Sequence, residues 1–120
     1  MKYKVMIVED QTMPRELFEL RIQASEHFEV ALSIDNAALA DVYCLRFPVD
    51  LILMDVVTRN GESGLDAAER IKRAFPQIKI IIVTSMPECS YLSRAREIGV
   101  ESFWYKEEQR ESLLDVMTRT

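Results

Sequence analysis

Residues 51–55 read Leu-Ile-Leu-Met-Asp, an apolar run that ends in a carboxylate. The apolar side chains are consecutive rather than alternating with polar ones, which is typical of a strand buried on both faces of a parallel sheet. In open α/β sheets, ligands bind beyond the carboxyl ends of the strands. Asp55 therefore stands where a functional side chain is expected, and this short stretch indicates both a fold and a candidate site.

Similar apolar runs occur elsewhere in the chain, and segments with helical spacing separate them. The further predicted strands are residues 5–8, 80–83 and 103–105, with a weaker one at 28–34. Strands that alternate with helices favour right-handed crossovers between parallel strands. The sequence therefore predicts an α/β fold, an open five-stranded parallel sheet with helices on both faces.

The first two predicted helices have clear boundary residues. Pro14 suits a first helical turn, and Asn36 can cap a helix that ends before Pro48. Helical spacing assigns Leu17, Leu20 or Arg21, and Ala24 to one face of the first helix. The second helix carries Leu39, Val42 and Tyr43.

Three further helices follow the same logic. Ser63 and Asp66 have the spacing of a capping box, and Gly99 suits a helix end because glycine tolerates the left-handed conformation. The predicted apolar stripes are Leu65, Ala68, Ile71 and Phe75, then Leu92, Ala95 and Ile98, then Leu113, Leu114 and Met117.

Composition limits the possible functions. A chain of 120 residues that is 48% hydrophobic suits one domain with a sizeable core. Its 15 basic and 20 acidic residues give a net charge of −5, which argues against direct binding to nucleic acid. The first apolar run is too short for a signal segment or a membrane span, so we expect a cytoplasmic protein. Cys44 and Cys89 lack metal-binding spacing, and we interpret them as buried thiols.

Polar side chains directly follow four of the predicted strands: Glu9 and Asp10, then Asp55, Thr84 and Lys106. Taken singly, each has a plainer explanation as a solvated charge, a loop cap or a strand-end residue. Together they would place carboxylates, a hydroxyl and an ammonium at one edge of the sheet. That combination can hold a divalent cation beside a phosphoryl group. Because no His or Cys cluster is present, magnesium suits the set better than zinc.

With these residues at these strand ends, the chain resembles the receiver domain of two-component response regulators over essentially its whole length. The resemblance implies a flavodoxin-like (CheY-like) fold with strand order 2-1-3-4-5. It also implies that Asp55 accepts a phosphoryl group from a sensor histidine kinase in a Mg²⁺-dependent reaction. The implied roles are Asp10 as a direct magnesium ligand, Glu9 as a ligand through water, the Val57 carbonyl as a third protein ligand, Thr84 and Lys106 as partners of the phosphoryl oxygens, and Phe103 as the switch aromatic.

The region from Ala95 to Lys106 is similar to the branch whose receivers carry a LuxR-type helix-turn-helix output domain. We therefore expect residues 1–120 to be the receiver domain of a longer regulator, in which DNA is contacted only through that further domain. The resemblance implies a phosphoprotein that homodimerises on activation and changes its α4-β5-α5 surface to control transcription. It also implies self-catalysed phosphorylation and dephosphorylation rather than a conventional enzyme.

Two features depart from the usual pattern of this family. The loop from Val56 to Gly64 lacks Met-Pro and is one residue longer, and Glu107 replaces the proline that commonly follows the lysine. We therefore expect no cis peptide after Lys106, because a non-proline cis bond costs about 2.5 to 4 kcal/mol.

Three alternatives belong to other functional classes. A pseudo-receiver would keep the fold as a protein-interaction module without the chemistry, although retention of all five polar site residues argues against it. A hydrolase of the haloacid dehalogenase type would need a second aspartate where Val57 stands. A flavin-binding electron carrier would need a phosphate cradle, which residues 9–13 do not provide.

Overall fold

The computed structural model describes residues 2–56, 63–84, 89–105 and 112–120, with the backbone alone at 89–92 and 105. Strands and helices alternate as the sequence predicts. In chain order they are β1 (Tyr3–Val8), α1 (Thr12–Gln23), β2 (Phe28–Ile34), a 3₁₀ turn (Ala37–Leu39), α2 (Ala40–Arg46), β3 (Leu51–Asp55), α3 (Gly64–Ala74), β4 (Lys79–Thr84), α4 (Cys89–Ile98), β5 (Ser102–Tyr105) and α5 (Leu113–Arg119). The strands form one parallel sheet of order β2-β1-β3-β4-β5, which confirms the predicted topology.

Both faces of the sheet are covered, and this explains the continuous apolar runs. Residues 5–8 and 51–54 are buried throughout. Helices α2, α3 and α4 pack on one face, and α1 and α5 pack on the other. The β5 side chains alternate: Phe103 packs towards α2–α4, whereas Trp104 and Phe18 of α1 pack in a T-shaped arrangement at a centroid distance of 5.9 Å.

The predicted face of α1 is not the face that meets the sheet. Phe18 and Ile22 are buried, whereas Leu17 is 50% exposed and Leu20 is 63% exposed. Ala24 follows the helix and is exposed. Apolar residues occupy more than one side of this helix, so spacing alone could not identify the side that packs against the strands.

The second helical segment also differs from the prediction. The Asn36 side chain accepts a hydrogen bond from the N–H of Ala38 at 2.7 Å, but it caps the 3₁₀ turn rather than α2. Leu39 and Val42 are exposed, and Tyr43 is only partly buried. The buried side chains are the small ones, Ala37, Ala40 and Cys44, which let the backbone approach the sheet closely. As predicted, α2 ends before Pro48.

The remaining helix predictions agree with the structure. The Ser63 hydroxyl accepts a hydrogen bond from the N–H of Asp66 at 3.3 Å, and Gly99 has a φ of 94° after α4. The apolar stripes lie against the core, with these residues buried or partly buried: Leu65, Ala68, Ile71, Phe75, Ala95, Ile98, Leu113, Leu114 and Met117. The side chain of Leu92 lies outside the described residues.

Cys44 is a buried thiol, as predicted. It is 8% exposed, and burial raises its pKa to about 11. A thiol with this pKa is almost entirely protonated near neutral pH and is a poor nucleophile. The side chain of Cys89 lies outside the described residues. Among the helices that the structure describes, none has the length and apolar character to cross a bilayer.

A half-buried ion pair ties α3 to the strands beside it. The Lys72 ammonium lies 2.6 Å from Glu101 Oε2 and donates to the carbonyl of Ile78 at 2.8 Å. The other oxygen of Glu101 accepts a hydrogen bond from the N–H of Ile80 at 2.8 Å. The two side chains are 10% and 22% exposed, so salt screens this pair less than it screens a fully exposed one.

We expect Lys72→Met to lower the free energy of unfolding by about 2 kcal/mol, because it leaves the Glu101 carboxylate half-buried without its cation. Thermal unfolding followed by circular dichroism should show a fall in Tm of about 6 to 10 °C. Arg73→Met is the matched control, since Arg73 pairs with Glu69 at the surface of the same helix and is 79% exposed. The control should change stability by less than about 0.5 kcal/mol. Equal losses in the two variants would contradict the role given to Lys72.

Candidate functional site

Three carboxylates that are distant in sequence meet at the carboxyl edge of the sheet. Glu9 and Asp10 follow β1, and Asp55 ends β3. One oxygen from each side chain lies within 4.8 Å of the others. Strands β1 and β3 are neighbours, and Val8 pairs with Met54, so both chains leave the sheet at the same level. The predicted convergence of these three side chains is confirmed.

The acid cluster, Glu9, Asp10 and Asp55, is largely shielded from water. Glu9 is 1% exposed, Asp55 is 9% exposed, and Asp10 is partly exposed. Two unit charges separated by a few ångströms repel each other by about 3 kcal/mol at an effective dielectric near 20. A hard divalent cation would relieve that repulsion. The donor atoms are all carboxylate oxygens, without histidine or cysteine, so the cluster fits Mg²⁺ better than zinc.

Hydrogen bonds hold the turn that carries Glu9 and Asp10. The N–H of Glu9 donates to the carbonyl of Ile34 at 3.0 Å, which fixes the turn to the end of β2. Glu9 Oε2 accepts from the N–H of Gln11 at 3.3 Å. The main-chain carbonyl of Glu9 accepts from Arg15 Nη1 at 3.0 Å. Sequence reasoning missed Arg15, because an arginine in the first turns of a surface helix is an ordinary solvated residue.

A close backbone contact fixes the end of β3. The N–H of Gly64, the first residue of α3, donates to the carbonyl of Val56 at 2.7 Å. A Cβ atom on Gly64 would lie 1.7 Å from the main-chain oxygen of Asp55, so only glycine fits there. Sequence reasoning identified the Ser63 cap but missed Gly64. The available signal was a glycine at the start of a helix, because glycine is the default residue where backbone segments approach closely.

Thr84 lies at the same edge of the sheet as the acid cluster. It ends β4 and is 7% exposed. Asp55 pairs with Val83, so Thr84 lies one residue further along the neighbouring strand. Phe103 pairs with Ile82 and is partly buried against the α2–α4 face. Lys106 and Val57 lie outside the described residues, as does most of the loop between β3 and α3, and the roles given to them stay predictions.

The comparison with known families agrees with this geometry. The sequence model of one family, the response regulator receiver domain, matches residues 5–118 of this chain. This chain belongs to the response regulator receiver family. It is thus the receiver domain of a two-component response regulator. This family is not a family of conventional enzymes. This assignment argues against the hydrolase and flavin alternatives, but it leaves the pseudo-receiver open.

Similar proteins include an oxygen regulatory protein and a LuxR-family response regulator. The oxygen regulatory protein NreC of Staphylococcus haemolyticus is 29% identical over 111 residues, which cover 92% of this chain and 51% of that protein. The receiver domain thus spans about half the length of the NreC relatives it matches. A crystal structure of a LuxR-family DNA-binding response regulator from Staphylococcus aureus is 26% identical with a TM-score of 0.88, over 98% of this chain and 97% of that one.

More distant structures share the fold alone. The chemotaxis protein CheY4 of Vibrio cholerae superposes with a TM-score of 0.87 at 18% identity, over 99% of this chain and 98% of that one. The CheY-like architecture expected from the sequence is therefore confirmed.

Proposed function

We propose that this receiver domain is a phosphoacceptor switch in which Asp55 takes a phosphoryl group from a sensor histidine kinase. The supporting observation is the acid cluster, whose three carboxylates meet within 4.8 Å at the edge of the sheet. Of these three, Asp55 alone belongs to a strand, because it is the last residue of β3. Its backbone is held by β4 on one side and by the close approach of Gly64 on the other. A nucleophile held in this way needs little reorganisation before it reacts.

In the proposed reaction, a carboxylate oxygen of Asp55 attacks phosphorus in line with the bond to the departing histidine nitrogen. The P–N bond breaks, an acyl phosphate forms, and the imidazole leaves with its electron pair and takes up a proton. Thr84 would donate a hydrogen bond to a phosphoryl oxygen, and Lys106 would form an ion pair with another. The same groups would assist the later hydrolysis of the acyl phosphate, so the domain catalyses its own modification without being a conventional enzyme.

The acid cluster would hold the magnesium ion that this reaction needs. Asp10 and Asp55 would bind it directly, Glu9 through water, and the carbonyl of Val57 would be the third protein ligand. When bound, the ion would neutralise charge that develops on the phosphoryl oxygens. The chain itself contributes a rigid set of oxygens, because hydrogen bonds hold the turn after β1 and a backbone contact holds the end of β3.

Phosphorylation would add about −1.5 to −2 charges at the edge of the sheet. Thr84 would move towards the new oxygens, and Phe103 on the neighbouring strand would change its rotamer and reshape the α4-β5-α5 surface. That change would promote homodimerisation of a cytoplasmic regulator and control transcription through a LuxR-type output domain. The support for the output is the similarity to NreC and to the LuxR-family regulator of S. aureus. DNA would be contacted only by that output domain.

The direct test uses acetyl phosphate as a small-molecule phosphoryl donor. Incubation with acetyl phosphate and magnesium should add the mass of one phosphoryl group to the intact chain, and chelation of the metal with EDTA should prevent the addition. Hydroxylamine should release the group, because it cleaves acyl phosphates. A chain that stays unmodified under these conditions would favour the alternative, a pseudo-receiver that acts as a protein-interaction module.

Magnesium should also stabilise the folded domain, because the acid cluster exists only in the folded chain. At a free concentration ten times its Kd, the ion should add about 1.4 kcal/mol and raise Tm by several degrees. Asp10→Asn should reduce this shift, since it removes one proposed ligand. Asp35→Asn is the matched control, because Asp35 lies just after β2 at the same edge and is not part of the acid cluster. A Tm that does not respond to magnesium in the wild type would contradict the metal site.

A further inference from the structure

The peptide group between Glu9 and Asp10 is held by the side chain of Arg15, a residue to which the proposed reaction assigns no role. Its carbonyl oxygen accepts a hydrogen bond from Arg15 Nη1 at 3.0 Å. We propose that Arg15 is a positioning residue of the metal site, which fixes the orientation of this peptide and so aims the two carboxylates at Asp55. The inference rests on the proposed function, because it assigns a residue to the magnesium site named there.

The local hydrogen bonds explain why this peptide needs a partner. The N–H of Glu9 is tied to Ile34, and the N–H of Gln11 is tied to the Glu9 carboxylate. Between these two fixed points, the plane of the Glu9–Asp10 peptide can still rotate. Rotation would move the Cα–Cβ bond of Asp10 relative to Asp55, and Mg²⁺ demands near-ideal octahedral geometry. The hydrogen bond from Arg15 restrains that rotation.

Arg15 is itself well placed to act as a rigid donor. Its own N–H donates to the carbonyl of Gln11 at 3.2 Å in the first turn of α1, so backbone and side chain both tie the helix to the turn. The planar guanidinium presents its donors in a fixed geometry. Arg15 also lines an open surface cavity of about 480 Å³ together with Ser33 and Asp35. A shorter side chain at this position would therefore leave no hole in the core.

Position and charge predict opposite effects of Arg15 on magnesium affinity. A cation near the acid cluster repels a dication, so charge alone predicts tighter binding after its removal. If Arg15 acts by holding the peptide, its removal loosens the site and weakens binding. Groups that orient metal ligands typically affect affinity 10- to 100-fold. We therefore expect the positional effect to exceed the electrostatic one.

The test is isothermal titration calorimetry of the metal-free chain with MgCl₂, at a temperature where circular dichroism shows every variant to be folded. Arg15→Met should raise the Kd for magnesium about tenfold. Arg15→Lys, which keeps the charge and one donor group, should restore part of the loss. Arg21→Met is the matched control, because it removes the same charge from the exposed far end of α1. Its Kd should equal that of the wild type.

Each outcome of the titration has a distinct meaning. Tighter binding by Arg15→Met would overturn the inference in favour of simple charge repulsion, and an unchanged Kd would overturn it while leaving the proposed function intact. Equal weakening by Arg15→Lys and Arg15→Met, together with the same fall in metal-free Tm, would reduce Arg15 to a structural residue and also overturn the inference. No binding by the wild type would overturn both the magnesium site and the role of Arg15.

Discussion

The Asp55→Asn variant is expected to keep its unmodified mass after incubation with acetyl phosphate and magnesium, whereas the wild type gains one phosphoryl group. The amide lacks the anionic oxygen that would attack phosphorus. Glu9 and Asp10 should not replace Asp55 as the acceptor, because they lie in the turn after β1 rather than in a strand. A second effect should accompany the first. Because the cluster brings its carboxylates within 4.8 Å, removal of one charge relieves repulsion, and the metal-free variant should melt above the wild type.

Asp35→Asn separates the role of Asp55 from a general loss of negative charge. Asp35 follows β2 at the same edge of the sheet, but it is not a member of the acid cluster. This control should gain the phosphoryl group as the wild type does, and its metal-free Tm should not rise. A full gain of mass by Asp55→Asn would place the acceptor elsewhere, and peptide mapping of the modified chain would then identify it.

Gly64→Ala should have a large effect although it leaves the polar residues intact. The new Cβ would lie 1.7 Å from the main-chain oxygen of Asp55 and 2.8 Å from its carbonyl carbon. Backbone atoms cannot move aside as a flexible side chain can, so either β3 or the start of α3 must shift. We expect a loss of about 3 kcal/mol in unfolding free energy. The chains that remain folded should accept the phosphoryl group from acetyl phosphate about 100-fold more slowly, because Asp55 is displaced by roughly 1 Å.

Two measurements keep this prediction testable if the variant is unstable. Circular dichroism at low temperature gives the folded fraction, and the rate from acetyl phosphate is then expressed per folded chain. Gly99→Ala is the matched control, because Gly99 has a φ of 94° and an added Cβ would have no atom within 4 Å. It should lose only about 1 kcal/mol from the left-handed conformation and keep the wild-type rate. Wild-type stability and rate in Gly64→Ala would show that the close contact has no consequence.

Local patterns in the sequence predicted much of the fold. The apolar runs located the strands, because a strand buried on both faces must be apolar at every position. Ser63 and Gly99 marked helix ends, since a capping hydroxyl and a left-handed glycine act within a few residues of the chain. The packed face of α1 was predicted wrongly, and two of the three apolar residues named for the second helix, Leu39 and Val42, are exposed. Exposed Leu17 and Leu20 resemble core residues in spacing, whereas small buried residues such as Ala40 carry little hydrophobic signal.

The sequence by itself determined the order of the strands and helices and the chemical types that could meet at the carboxyl edge of the sheet. The order of the elements along the chain follows from local periodicity, and the polar set follows from the residues that end the predicted parallel strands. The order of the strands in the sheet was implied only by the family resemblance. Only the tertiary structure decided which helix faces are buried and which residues hold the site in place. Arg15 contacts a main-chain carbonyl, and Gly64 lies against the backbone of Asp55. Backbone atoms are the same at every position, so the sequence cannot show which of them a side chain or a glycine will meet.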